Sequence, residues 1–186
     1  MEGLNTVIAV LPDHRAAEAA IKKLAQAGFD LKSLSVIGHG YPAQEHVIGF
    51  YNVADRVTFW GSRGAFWGGL WNLFFSGVFV AAPETGPVVV LGFLASTTIS
   101  ILEGGLIVGG LGAVGSALHG IGIPKDSVVA YEAEVAADSF LVMVNGAQKA
   151  IEYTQRILAA TNARRVDVYS GTRSPEPGDG FITVRA

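Results

Sequence analysis

Short apolar runs alternate with helically spaced apolar positions at both ends of the chain, and the two ends carry the same pattern. Thr6 to Leu11 (TVIAVL) has strand length and is ended by Pro12, after which Asp13 is placed to cap a helix whose Ala17, Ile21, Leu24 and Ala25 share one face. Gly28 stops that helix, and a second strand from Leu34 to Ile37 runs into the breaker-rich GHGYP of residues 38 to 42. In the last third, Phe140 to Val144 (FLVMV) reads as a strand and Asn145-Gly146 as a turn. A helix from Ala147 to Ala160 follows, with Ala150, Ile151, Thr154, Ile157 and Leu158 inward, and Val166 to Tyr169 is the closing strand. Pro124 opens a further helix to about Ala137, with Asp126 near the positive end of its dipole. Two βαβ-like halves of similar length predict an α+β fold, a ferredoxin-like split βαβ sandwich with four antiparallel strands and two helices on one face.

Between the halves the polar positions vanish. From Gly64 to Ile123 there is no Lys, Arg or Asp, and only Glu84 and Glu103 carry a carboxylate. Gly64 to Ala82 (GAFWGGLWNLFFSGVFVAA) is uncharged over about the ~20 residues that cross a bilayer core. PETGP at 83 to 87 reads as a turn, and Val88 to Leu102 as a returning helix. The sandwich is therefore expected to be interrupted by a hydrophobic, glycine-rich helical hairpin. Two crossings would keep both βαβ halves on one side, and Arg56, Arg63 and Lys125 flank the insert there. Trp60, Trp67 and Trp71 suit an aromatic belt at the same level. A hairpin folded about residue 85 brings Glu103 near Arg63, and a carboxylate at that depth is either an interfacial partner for the arginine or a functional charge. A helix from Val88 to Gly122 would run roughly 50 Å at ~1.5 Å per residue, longer than the bilayer core, so a break near Glu103 and Gly104 is expected.

Composition narrows the function classes. Half of the 186 residues are hydrophobic and 16% are charged, which suits a mixed soluble and membrane chain. A net charge of -3 without a basic run excludes an electrostatic footprint for nucleic acid. The absence of cysteine removes disulfides, thiolate metal sites and thiol nucleophiles together. The amino terminus lacks the basic flank and cleavage site of a signal peptide.

Gly110, Gly112 and Gly115 spell the G-x-G-x-x-G of a dinucleotide-binding turn, after Leu106 to Val108 and ahead of Glu132 and Glu134. The fingerprint also needs a long following helix and a parallel strand ending at the acid. The segment holding those acids is itself helical in pattern, so the nucleotide reading fails. Helix packing accounts for more residues: Gly64, Gly68, Asn72 and Ser76 form one small-residue stripe, Gly105, Gly109 and Ala113 a second, and Gly112, Ser116 and Gly120 a third. Such stripes let a hairpin zip internally or between subunits, in a membrane or in a protein assembly that buries the same segments.

GFYNVADRVTFWGSRGAFWGGLW (49 to 71), ILEGGLIVGGLGAVGSAL (101 to 118) and IGIPKDSVVAYEAEVAADSFLVMVNG (121 to 146) resemble bacterial proteins related to the general-stress and low-temperature-induced proteins of unknown function, often labelled permease-like. The resemblance covers most of residues 5 to 170. It implies a cytoplasmic α+β domain split by a glycine-rich hydrophobic insert, and no catalytic residue. The expected organisation is a first half at 1–44, the insert at 45–123, a second half at 124–170 and a tail at 171–186, whose FITVRA alternates like an edge strand.

No nucleophile constellation stands out. His39, His46 and Glu45 share one loop but read as solvated residues and not as a metal site. The sequence thus predicts no catalytic residue, cofactor or metal, and no nucleic-acid partner. It predicts a non-enzymatic, homo-oligomeric stress-type protein in contact with membrane lipid, in the bacterial inner membrane with both termini cytoplasmic. The alternatives are a cytoplasmic self-assembling particle, a small-ligand sensor and an oligomeric pore.

Overall fold

The computed structural model describes residues 4–30, 33–39, 48–50, 77–82, 86–105 and 107–172. Strand β1 (Leu4–Leu11), helix α1 (His14–Gln26) and strand β2 (Leu34–His39) form the first βαβ unit. Asp13 caps α1 as its side chain promises, accepting the Ala16 N–H at 2.8 Å, and Gly28 follows the helix with φ +81°. The second unit is β6 (Phe140–Gly146), α5 (Gln148–Ala159) and β7 (Arg165–Thr172). Asn145 and Gly146 therefore extend β6, where a turn was expected, because Thr6 and Asn5 of β1 lie opposite them in register.

The apolar middle corrects the sequence reading. Residues expected to finish a membrane helix form strand β4 (Gly77–Ala82), and those expected to begin its return form β5 (Gly86–Gly92). With the short β3 (Ile48–Phe50) they complete a seven-stranded sheet in the order β3-β4-β5-β2-β6-β1-β7, with every pairing antiparallel. Only Phe93–Gly104, α2, is helical in that return segment. Hydropathy could not separate the two outcomes, since a run such as VVVL suits a strand buried on both faces as well as a lipid helix. Its β-branched side chains and flanking Gly and Pro were the signs of a strand. Among the described residues no helix is long and apolar enough to cross a membrane. Residues 64 to 76, with Gly64, Gly68 and Ser76, lie outside the described residues, as do Arg63, His46, Glu45 and the tail from 173.

Two cores lie on opposite faces of the sheet. Val7, Ala9 and Leu11 of β1 with Val142 and Val144 of β6 pack under α1 and α5, where Ile21, Leu24, Ile151 and Leu158 are buried. The alternate residues Ile8, Val10, Leu141 and Met143 point to the other face. There α2, the short α3 (Ala113–Gly120) and α4 (Lys125–Ala136) cover them through Leu94, Leu118, Val128, Tyr131 and Val135. Helix α4 starts at Pro124 as expected and buries its Val128, Tyr131 and Val135 stripe.

Sheet and second layer join at Gly92. Its φ of +89° suits glycine, and an added Cβ would collide with the Leu34 carbonyl of β2. The close approach lets Ser35 Oγ accept the Leu94 N–H at 3.1 Å, capping α2 from a neighbouring strand. Gly92→Ala is expected to cost about 2–4 kcal/mol of stability, through the left-handed backbone and the collision together. Urea unfolding of the full chain checks it, and a midpoint equal to that of the unsubstituted protein would show that this junction is slack.

Candidate functional site

The glycine fingerprint lies at the junction of α2, α3 and α4. Helix α2 ends at Gly104, and Gly105 turns the chain with φ +64°. Residues 107 to 112 are non-helical before α3 starts at Ala113. The break expected near Glu103 and Gly104 is therefore present. It separates Gly105, Gly109 and Ala113 onto a turn, a loop and a helix, so their spacing of four does not make one helical face. Gly112 is the N-cap of α3, and Ser116 lies inside it with its hydroxyl accepting the Val108 N–H at 2.9 Å. The backbone of Glu103 lies in the last turn of α2; its side chain and Arg63 lie outside the described residues.

A carboxylate of the chain itself occupies the place where a dinucleotide turn would hold a phosphate. The Gly112 N–H donates to Glu132 Oε1 at 2.8 Å, so an acid on α4 serves the exposed amide end of α3. Two glycines of the fingerprint make room for it. A Cβ at Gly115 would collide with Glu132 Oε1, and one at Gly112 would stand 3.0 Å from the same oxygen. Two turns earlier on α4, Lys125 Nζ donates to the Gly109 carbonyl at 2.9 Å. The loop is thus tied to α4 at Gly109 and at Gly112.

Behind the loop is a pocket whose floor is Ile37, Val88 and Leu141 of the sheet and whose walls come from α3 and α4. Its free space is about 380 Å³ including the mouth, but only about 20 Å³ of it admits the centre of a water molecule, so the pocket is a narrow slot. Glu132 and Tyr131 are the ionisable side chains of its lining.

Tyr131 is fully buried and crosses to the edge strand, where its hydroxyl donates to Asp167 Oδ2 at 2.6 Å and lies 2.7 Å from the Tyr169 hydroxyl. Arg165 stacks over the Tyr131 ring at 4.7 Å and pairs with Asp167. Burial, and then the bond donated to Asp167, push the Tyr131 phenol far above its ordinary range. The phenol is a fixed donor and not an acid at any physiological pH. Arg165, Asp167 and Tyr169 were not singled out by the sequence reading. Their alternation along one strand was legible, but the residue they meet is 30 or so positions away on a helix.

Elsewhere, His39 Nδ1 lies 2.5 Å from Asp138 Oδ1 and ties the end of β2 to the turn after α4, where Asp138 has φ +63°. The His119 ring lies 3.0 Å from the Ile123 carbonyl. Among the described residues no three metal-ligating side chains converge.

Two outcomes test this geometry. Gly115→Ala is expected to destabilise the protein although alanine is the better helix former by about 1 kcal/mol. Repeating it in a Glu132→Ala background should remove about 1–2 kcal/mol of that cost in a double-mutant cycle, and a coupling of zero would mean that the carboxylate does not dictate the glycine. Because Tyr131 binds its proton more tightly folded than unfolded, its contribution is complete below the ordinary tyrosine pKa of about 10 and declines as pH rises beyond it. Tyr131→Phe should cost about 1–3 kcal/mol at neutral pH and flatten the alkaline decline of the urea midpoint.

Residues 6–86, from β1 to the first residue of β5, match the family model of the heat-induced stress protein YflT domain. No curated protein and no solved structure matches the chain. The stretch matched holds most of the first βαβ unit together with β3 and β4, and it supports a general-stress family.

Proposed function

We propose that this is a non-enzymatic, self-associating protein of the general-stress type. Its ferredoxin-like unit consists of β1, β2, β6 and β7 with α1 and α5, and residues 45–123 are an insertion into that unit. The strand order β2-β6-β1-β7 supports the unit, since it is the order in which two βαβ halves interlock. The observation that carries self-association is the wing formed by β4 and β5. Their sequences, GVFVAA and GPVVVLG, contain no charge. Helices α1 and α5 pack principally on β1, β6 and β7, so the wing reaches past that layer. Both strands are paired on each side, by β3 and β5 and by β4 and β2, so what calls for cover is the apolar face beyond α1 and α5. A second copy supplies that cover without any added element.

Retention in the inner membrane, with the termini cytoplasmic, is the competing reading, and the uncharged residues 64–76 ahead of β4 favour it. Sedimentation velocity on full-length protein expressed without detergent separates the two. A discrete species of several chains that becomes smaller when Phe79 and Leu91, which the register puts on the same face as Val36, are replaced by Lys is the expected result. A monomer at micromolar concentration would overturn self-association. Protein retained in carbonate-washed membranes would replace it with the membrane form.

A further inference from the structure

We infer that the outer edge of β7 pairs with β7 of a second copy of the chain, antiparallel and with the two-fold axis at Val166. The inference does not rest on the β4–β5 wing, which lies on the other side of the sheet with β2, β6 and β1 between.

Among the described residues β7 is the last strand of the sheet, with β1 its one strand neighbour. Successive residues of an antiparallel ladder turn their N–H and C=O groups alternately toward and away from the neighbour, so every second residue of β7 presents them outward. Native edges are commonly blunted by lysine, proline or a bulge. Arg165 to Thr172 contains neither lysine nor proline. The irregularity in its pairing with β1 falls between Leu4 and Thr6, beyond Tyr169, and Gly171 with φ +71° lies at that same end. Arg165 to Tyr169 is thus a regular edge, in register with Val10 to Thr6. Its Val168 is a large apolar side chain left 36% exposed.

Charge selects both the occupant and the register. Arg165 and Asp167 share one face of β7 and pair with each other, and Tyr131 holds both: the guanidinium lies over its ring and the carboxylate accepts its phenol O–H. In antiparallel pairing about Val166, Arg165 of each copy stands opposite the partner's Asp167, and the four charges alternate in sign. Opposite charges across such a ribbon stabilise it, and like charges directly opposite destabilise it. An axis at Asp167 would set the two carboxylates against each other, and one at Arg165 the two guanidinium groups. An axis at Val168 would carry the pairing into the irregular end at Gly171. An axis between two residues would turn one sheet over relative to the other. Val166 is the register that remains. Because Tyr131 fixes both charges before association, little side-chain freedom is lost on pairing. A second copy brings the complementary pair by symmetry.

The test is amide hydrogen exchange over β7 in the full-length protein at a series of concentrations, a readout that pairing through the wing does not reach. Exchange that is slow from Arg165 to Tyr169 in concentrated protein and quickens on dilution is expected. Arg165→Glu and Asp167→Arg should each weaken the dimer by about tenfold. An equimolar mixture of the two variants should restore slow exchange, because the mixed pair again sets unlike charges opposite each other. If either variant does not fold, Val168→Lys, at an exposed position opposite the partner's Arg164, must quicken exchange at a given concentration. Alternate amides of β7 that exchange rapidly at every concentration would overturn the pairing, as would indifference to these substitutions. Slow exchange that ignores dilution and is lost on removal of residues 173–186 would overturn it too, by assigning the edge to the chain's own tail.

Discussion

Both faces of the central strands are apolar, and the rest of the structure follows from that constraint. In β1, Val7, Ala9 and Leu11 point one way and Ile8 and Val10 the other, and all five are essentially inaccessible. Each of the valine, leucine and isoleucine side chains among them is worth roughly 1.5–3 kcal/mol when removed from water. Two βαβ halves provide helices for one face only. The second face is therefore the reason that the chain between the halves must return to the sheet, and α2, α3 and α4 are the layer that covers it.

That second layer is held by contacts between distant parts of the chain. Ser35 caps α2 across 59 residues, and Glu132 serves the N-terminus of α3 across 20. Tyr131 reaches Asp167 across 36. Glycine is needed where these elements meet most closely, at Gly92 against β2 and at Gly115 against Glu132. At these positions glycine serves tight junctions between short elements. A membrane helix interface would have used the same residues for a different close approach, which is why composition alone could not distinguish them.

Glu132 unites the structural and the chemical readings of the molecule. A G-x-G-x-x-G turn leaves backbone amides and empty space at a helix start, and in nucleotide-binding proteins a phosphate takes both. Here the chain fills them with its own carboxylate and puts a narrow apolar slot beside it. The anion site is spent internally.

The outer βαβ units were legible in the sequence because each signal in them is local: Asp13 as a cap, Gly28 as a stop, and the 3.6-residue spacing of Ala17, Ile21 and Leu24 all act within a turn or two. Pro124 and the helix after it were legible for the same reason. The conformation of the apolar middle was not, because 77–82 and 86–92 are uncharged on both faces and so lack the alternation that marks a half-buried strand. The pairing of β5 with β2, far back along the chain, and of β4 with β5 across a hairpin decided that. The sequence by itself likewise set the spacing of Gly112, Gly115 and Glu132, a fixed pattern of two small residues and an acid. Only the packing of α3 against α4 determined that the acid would fill the space the glycines leave, since that choice depends on the distance between two helices and not on any property of either.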